Sequence, residues 1–356
     1  MKLFMLLLFF LLFPIAGRAL DSHDVMLVAN AQSPGSMAVA EKYCAVHAIA
    51  THRILRLSLP VTHTVSQNVY RAEIEAPVLR AAKHQKAKVI ILCYGMPWRI
   101  VDDGPSPRQN PFTSSWASVD SELASNGHAG SRGYATVPNP YFGKQSPFNR
   151  TDMYLVARLD GPNAAAAIEL ITRAQVKPGH PFKALIDLQP EVNGSSGKNV
   201  YAFNAHLTRA ALYLRQAGIP THLDTSQELA PAPSDPLQFY WGWYADPNGN
   251  FTTNTYKNYR WAPGAVAVHT CSFGARNLRR KQSAAAGLIT AGATATIGTV
   301  NEPLIGGWSR PDMFFKNYVK PKNTGLTFIE SACAATPFLS WQTVFIGDPL
   351  LRFSHQ

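Results

Sequence analysis

The chain has 356 residues, with 33 lysines and arginines against 22 aspartates and glutamates, for a formal charge of +11. That length exceeds one typical core, so two lobes are expected, and the positive excess favours acidic partners or serves solubility alone. No aromatic-basic nucleic-acid module is present, and four widely spaced cysteines (Cys44, Cys93, Cys271, Cys333) form neither a disulfide scaffold nor a zinc site.

Residues 1–19 read as an export signal. Lys2 supplies a positive start, and the apolar run Leu3 to Ile15 is about 13 residues, short of the roughly 20 a spanning helix needs. Gly17-Arg18-Ala19 places small residues where a signal peptidase reads. The expected location is secreted or periplasmic, with no membrane span after cleavage.

Strand and helix signals then alternate. Val25 to Asn30 is an apolar strand, and Ser33-Pro34-Gly35-Ser36 opens a helix that carries Met37, Ala40, Tyr43, Cys44 and His47 at helical spacing. Ile54 to Leu59 is a second strand. A helical stretch over 66–84 leads to Lys88 to Tyr94, the clearest buried strand. Val101 to Arg150 is rich in Pro, Gly, Ser and Asn and reads as an irregular insertion. Within it Asp120 and Glu122 either cap a short helix, the favoured reading, or line a site. Met153 to Leu159 is a strand, followed by a helix over Asn163 to Gln175. Ala184 to Leu188 and a helix over Asn199 to Gln216 repeat the pattern. Leu237 to Ala245, Ala265 to Thr270, Ala293 to Val300 and Thr343 to Ile346 read as further strands. Helices are expected over Gln282 to Ala291 and Thr327 to Ala335.

This alternation predicts an α/β fold: two lobes, a mostly parallel sheet, and helices on both faces. The divisions are an N-terminal lobe over 20–180, with the insertion 101–150, and a C-terminal lobe over 181–356. Ligands in such sheets gather at the carboxyl ends of strands. That rule points to Arg158 and Asp160, to Asp246, to 269–274 and to Glu302.

Several motif matches fail. Gly194 to Lys198 lacks the spacing of a phosphate loop, and 127–133 follows no strand, so no dinucleotide fingerprint is present. The surviving constellation is Val268-His269-Thr270-Cys271-Ser272-Phe273-Gly274. An imidazole beside a thiol at a strand end is what nucleophilic catalysis needs, and in a continuing strand His269 and Cys271 share a face. The competing reading is a packed strand end. A metal at His269, Glu302 and Asp246 would use acceptable ligands at a spacing that carries no signature, so no metal or cofactor is assigned. Arg276, Arg279, Arg280 and Lys281 read as a solvated helix start or, less readily, as an anion contact.

From Val25 to Phe353 the order of elements resembles the gingipain-like branch of the caspase-fold cysteine peptidases. The segments that carry it are VARLDGP, AVAVHTCSFGA, GLITAGATATIG and IGDPLL. The chain also resembles an uncharacterised family of secreted bacterial proteins, through ASVDSELA, LVARLDGP, GATATIGTVNEP and a His-x-x-Ser-Phe-Gly stretch that His269 and Ser272 match. The peptidase resemblance implies a caspase-like C-terminal lobe with Cys271 as nucleophile. It also implies a departure. The peptidases carry a histidine in a Gly-His-Gly turn, and here Tyr240-Trp241-Gly242-Trp243-Tyr244 puts Trp243 in that position. Indole cannot accept a proton.

Two functions are therefore weighed. In the favoured one, the protein binds a peptide or glycan at a pocket of Trp241, Trp243, Tyr244, Asp246, His269 and Glu302, with Arg158 and Asp160 nearby. In the other, it is a cysteine-type hydrolase with Cys271 as nucleophile, His269 as base, and Ser272 and Glu302 alongside. No nucleic-acid partner and no particular oligomeric state are implied.

Overall fold

The structure, a computed structural model, describes residues 18–102, 113–127, 134–177, 179, 183–188, 197–226, 229–242, 255–280, 283–321 and 324–354. It is an α/β fold built on parallel sheets. Strand β1 (Val25–Asn30) pairs in parallel with β2 (Ile54–Leu57) and β3 (Val89–Cys93), and β3 pairs in parallel with β4 (Leu155–Leu159). Every residue of β1, β3 and β4 is buried. Parallel strands covered on both faces need apolar side chains on both, so VMLVAN, VIILC and LVARL read as near-continuous apolar runs.

Helix α1 (Pro34–His47) joins β1 to β2, and α2 (Ala76–His84) leads into β3 after a π-helical turn over Tyr70–Glu75. The two crossovers run in opposite directions along the sheet, and right-handed connections then place their helices on opposite faces. Ser33 is the N-cap residue of α1, whereas Ser36 Oγ accepts from the Asn30 amide and so ties the helix to the strand it leaves.

The second half supplies β5 (Ala184–Asp187), β6 (Thr221–Asp224), β7 (Leu237–Gly242) and β8 (Trp261–His269), all parallel in the order β6-β5-β7-β8. A parallel bridge from Val266 to Ala295 links β8 to the segment entering β9 (Thr296–Thr299). β9 is antiparallel to β10 (Thr343–Ile346), and β10 pairs in parallel with β4. The last strand in sequence therefore sits between β9 and β4, where strand direction reverses.

The helices of the second half are α5 (Gly197–Gln216), α6 (Ala284–Ala291), α7 (Pro311–Tyr318) and α8 (Phe328–Ala335); α4 (Ala164–Gln175) and α3 (Val119–Ala124) belong to the first. Ring contacts among Phe239, Trp241, Phe314, Phe315, Tyr318 and Phe353 fasten α7 to β7. Where it is described, the stretch 101–150 carries short elements as far as Pro138 and only turns and coil over 139–150. Trp116–Ser118 pairs with Arg99–Val101, which pairs with Thr64–Ser66, and α3 follows. Among the described residues no helix is long and apolar enough to cross a membrane.

Candidate functional site

The site is assembled at the carboxyl ends of β7 and β8, where Gly242 pairs with His269 and the Thr270 amide donates to the Gly242 carbonyl at 2.8 Å. Alternation along β7 decides what each aromatic does. Trp241 points into the core against Phe314 and Phe315, fully buried, and its indole N–H donates to Thr270 Oγ1 at 3.0 Å. It therefore anchors the β8 end from below and lines no pocket, contrary to the sequence expectation. Tyr240 points to the other side, into a cluster with Tyr256, Tyr259 and Trp261. Trp243, Tyr244 and Asp246 lie outside the described residues.

His269 ends β8 buried, with its ring edge-to-face with Tyr256 at 5.9 Å. Tyr256 is itself buried, and its hydroxyl has no hydrogen-bond partner among the described residues. Burial, with Cys271 nearby, raises that phenol well above its ordinary pKa. Asp187, at the end of β5, accepts from the Ala230 amide at 3.3 Å and from the Tyr240 hydroxyl at 3.4 Å. Burial, aided by Asp224, pushes its carboxyl up to about 7.

The turn after His269 carries the polar tip. Burial, reinforced by the Glu302 carboxylate, pushes the Cys271 thiol up to about 12. The thiol lies over Gly274, where a Cβ would stand 3.2 Å from Sγ. Ser272 Oγ donates to Glu302 Oε2, and Glu302 Oε1 accepts the Leu304 amide at 2.9 Å. Phe273 is 38% exposed and left-handed at φ 62°, an uncommon conformation for a bulky residue. The Arg276 guanidinium stacks on its ring at 5.2 Å. The structure thus brings Cys271, Ser272 and Glu302 together at one turn, with His269 beneath them in the strand.

Arg158 and Asp160 are elsewhere and closed. Arg158 is fully buried on β4. Its Nε lies 3.0 Å from Asp120 Oδ1, its Nη2 2.5 Å from Asp120 Oδ2, and its Nη1 3.2 Å from Asp160 Oδ2. It also donates to the Met96 and Pro97 carbonyls. Burial alone would lower its pKa, but Asp120 and Asp160 more than offset this and hold it above the ordinary value. Arg279 completes the group, 2.5 Å from Asp160 Oδ1 and stacked on Tyr94 at 4.1 Å and Trp98 at 4.9 Å.

These contacts correct two expectations. Arg279 is no solvated helix start; α6 begins at Ala284 under a Ser283 cap. Nor does Asp120 cap a helix, because Ser118 caps α3 and Asp120 neutralises Arg158. Arg158 and Asp160, expected near a ligand, have their charges satisfied internally. Neither Tyr256 nor Asp187 was singled out by the sequence. A tyrosine in a polar loop and an aspartate ending a strand are ordinary signals until the fold sets Tyr256 beside His269 and Asp187 beside Tyr240.

Among the described residues no three His, Cys, Asp or Glu side chains cluster as metal ligands. No protein-family model matches the chain, and no curated protein matches it significantly in sequence. Solved structures do match in fold. A complex of the Porphyromonas gingivalis RgpB pro- and mature domains aligns over 92% of this chain and 79% of its own, with a TM-score of 0.52 at 12% identity. A second, described as the structure of a protease, covers 92% and 78% with a TM-score of 0.47 at 10% identity. On the first of these matches, the chain has a gingipain-like fold.

Proposed function

We propose that this is an exported binding protein on a gingipain-like scaffold, one that receives a peptide or glycan at the carboxyl ends of β8 and β9 and does not use Cys271 as a nucleophile. The observation that carries this reading is the state of the thiol. A nucleophilic cysteine is made reactive by lowering its pKa, whereas burial and Glu302 push Cys271 up to about 12. Trp243, where the resembling peptidases have histidine, supports the same reading, since loss of a general base costs roughly 10²–10⁴ in rate.

The turn offers binding chemistry instead. Phe273 presents an exposed ring, Arg276 lies over it, and the Ser272–Glu302 pair stands beside it. A ring face beside a carboxylate and a hydroxyl suits a sugar or a peptide backbone. Strain in a left-handed phenylalanine is most often found where a side chain is held for a purpose. The first nineteen residues support export.

The test compares the mature chain with Cys271→Ala on a peptide library, and with Phe273→Ala on glycan and peptide panels. The expected result is no Cys271-dependent hydrolysis, together with a ligand whose affinity falls about tenfold in Phe273→Ala. Iodoacetamide should modify Cys271 more slowly than a free thiol at pH 8, since burial and Glu302 disfavour the thiolate. Turnover that disappears in Cys271→Ala would overturn the proposal in favour of a hydrolase with Cys271 as nucleophile and His269 as base.

A further inference from the structure

A concave site lies at the amino ends of β3 and β4 and shares no residue with the Cys271 turn. It is a cleft of about 710 Å³, within the roughly 300–1,000 Å³ range of small-ligand pockets. Among the described residues five cations line it, Arg80, Lys83, Lys86, Lys88 and Arg150, and no carboxylate does. Local folding puts them there. α2 ends in a turn in which the Ala87 amide donates to the Ala82 carbonyl and Lys86 is left-handed at φ 53°. The chain thereby passes directly from α2 into β3, and Lys83, Lys86 and Lys88 come to line one cleft.

The charges are only partly answered. Lys88 faces Asp24 at 3.4 Å, and Arg150 pairs with Asp152. Arg80, Lys83 and Lys86 have no carboxylate partner among the described residues. Like charges gathered in a concavity raise the local potential and concentrate anions there. Leu79, Ala82, Met153 and the half-buried Tyr154 supply an apolar floor, and Asn126, Asn149 and Thr151 supply amides and a hydroxyl. Cations alone would suit any anion. An aromatic and aliphatic floor with polar groups beside it suits a hydroxyl-rich ring that carries the anions. The charges surround a pocket rather than track along a face, which fits a discrete ligand better than a nucleic-acid strand.

We propose that this cleft binds a sugar bearing two or more phosphate or carboxylate groups, whether free or as the head group of a glycolipid. The first probe is fructose 1,6-bisphosphate, titrated calorimetrically against the full chain, with inorganic phosphate and a single-stranded oligonucleotide as comparisons. The bisphosphate should bind at least about tenfold more tightly than inorganic phosphate, and more weakly as salt rises. Lys83→Glu with Lys86→Glu should weaken it at least about tenfold. Lys42→Glu with Lys316→Glu makes the same charge change at exposed positions outside the cleft and should leave it unchanged. Vesicles of phosphatidylcholine with and without lipid A separate the two sources. Co-sedimentation that requires lipid A and is lost in the Lys83/Lys86 variant assigns a head group; binding of the bisphosphate alone assigns a soluble ligand. The proposal is overturned by equal losses in both double variants, by no preference over inorganic phosphate, or by tighter binding of the oligonucleotide. Thermal melts of the variants show that each is folded.

Discussion

The Arg158 group and the Cys271 turn treat charge in opposite ways. Around Arg158, one arginine and two aspartates are taken out of water, the partly exposed Arg279 closes the group, and every charge meets another charge or a carbonyl. Around Cys271, a carboxylate remains at the surface, a thiol is kept protonated, and a phenylalanine is displayed. Closed charges of the first kind fix geometry, since a buried pair that loses one partner is costly. Open groups of the second kind remain available to something outside the chain. The two regions are joined: Arg279, eight residues past Cys271, reaches Asp160, and the Trp98 indole donates to the Arg276 carbonyl at 3.3 Å. The closed region therefore holds the turn of the open one.

The contrast can be broken most forcefully at Arg158. Arg158→Ala strands Asp120 in the interior, leaves Asp160 with Arg279 alone, and should cost about 3–5 kcal/mol in denaturant unfolding. A loss under about 1 kcal/mol would show that water reaches the group and that it is not closed. Glu122 sharpens the contrast on the same helix. It is buried beside the Ser340 hydroxyl, and burial pushes its carboxyl up to about 8. A carboxyl raised in the folded state contributes stability below its unfolded pKa of roughly 4.3 and loses it as pH rises to about 8. Glu122→Gln keeps an acceptor for Ser340 and has no such dependence. Its melting temperature should exceed wild type at pH 8–9, and the gap should close toward pH 5. A gap independent of pH would remove Glu122 as the titrating group. The smallest effect is expected at Tyr256, whose buried hydroxyl has no partner among the described residues. Tyr256→Phe should be neutral or stabilising by about 1 kcal/mol. A clear loss of stability would reveal a bond to that hydroxyl and make the site more closed than described.

Runs such as VIILC and LVARL were legible because burial on both faces leaves no room for alternation. Thr221–Asp224 was not, because a partly exposed edge strand can be polar, and THLD is. Pro311–Tyr318 was missed because its proline, at the helix start, reads as a breaker. The candidate turn was found, since a thiol and an imidazole two residues apart after an apolar strand are conspicuous in any sequence. What the neighbours do was hidden. YWGWY gives no sign that Trp241 faces α7, and Arg158 lies 38 residues from an Asp120 embedded in a stretch that reads as irregular. Long-range pairing of that kind leaves no periodic trace.

The position of β10 has a kinetic consequence. Until Thr343–Ile346 emerges, β4 and β9 each present an unpaired edge, and the two halves of the sheet have no strand between them. Closing the sheet requires contacts spanning nearly two hundred residues, and non-local pairings of this kind form slowly. A nascent chain therefore keeps these edges exposed, inviting aggregation, until Thr343–Ile346 has been made. Strand β10 acts as a latch, and truncation before Thr343 should yield an open, association-prone chain rather than a smaller version of the same fold.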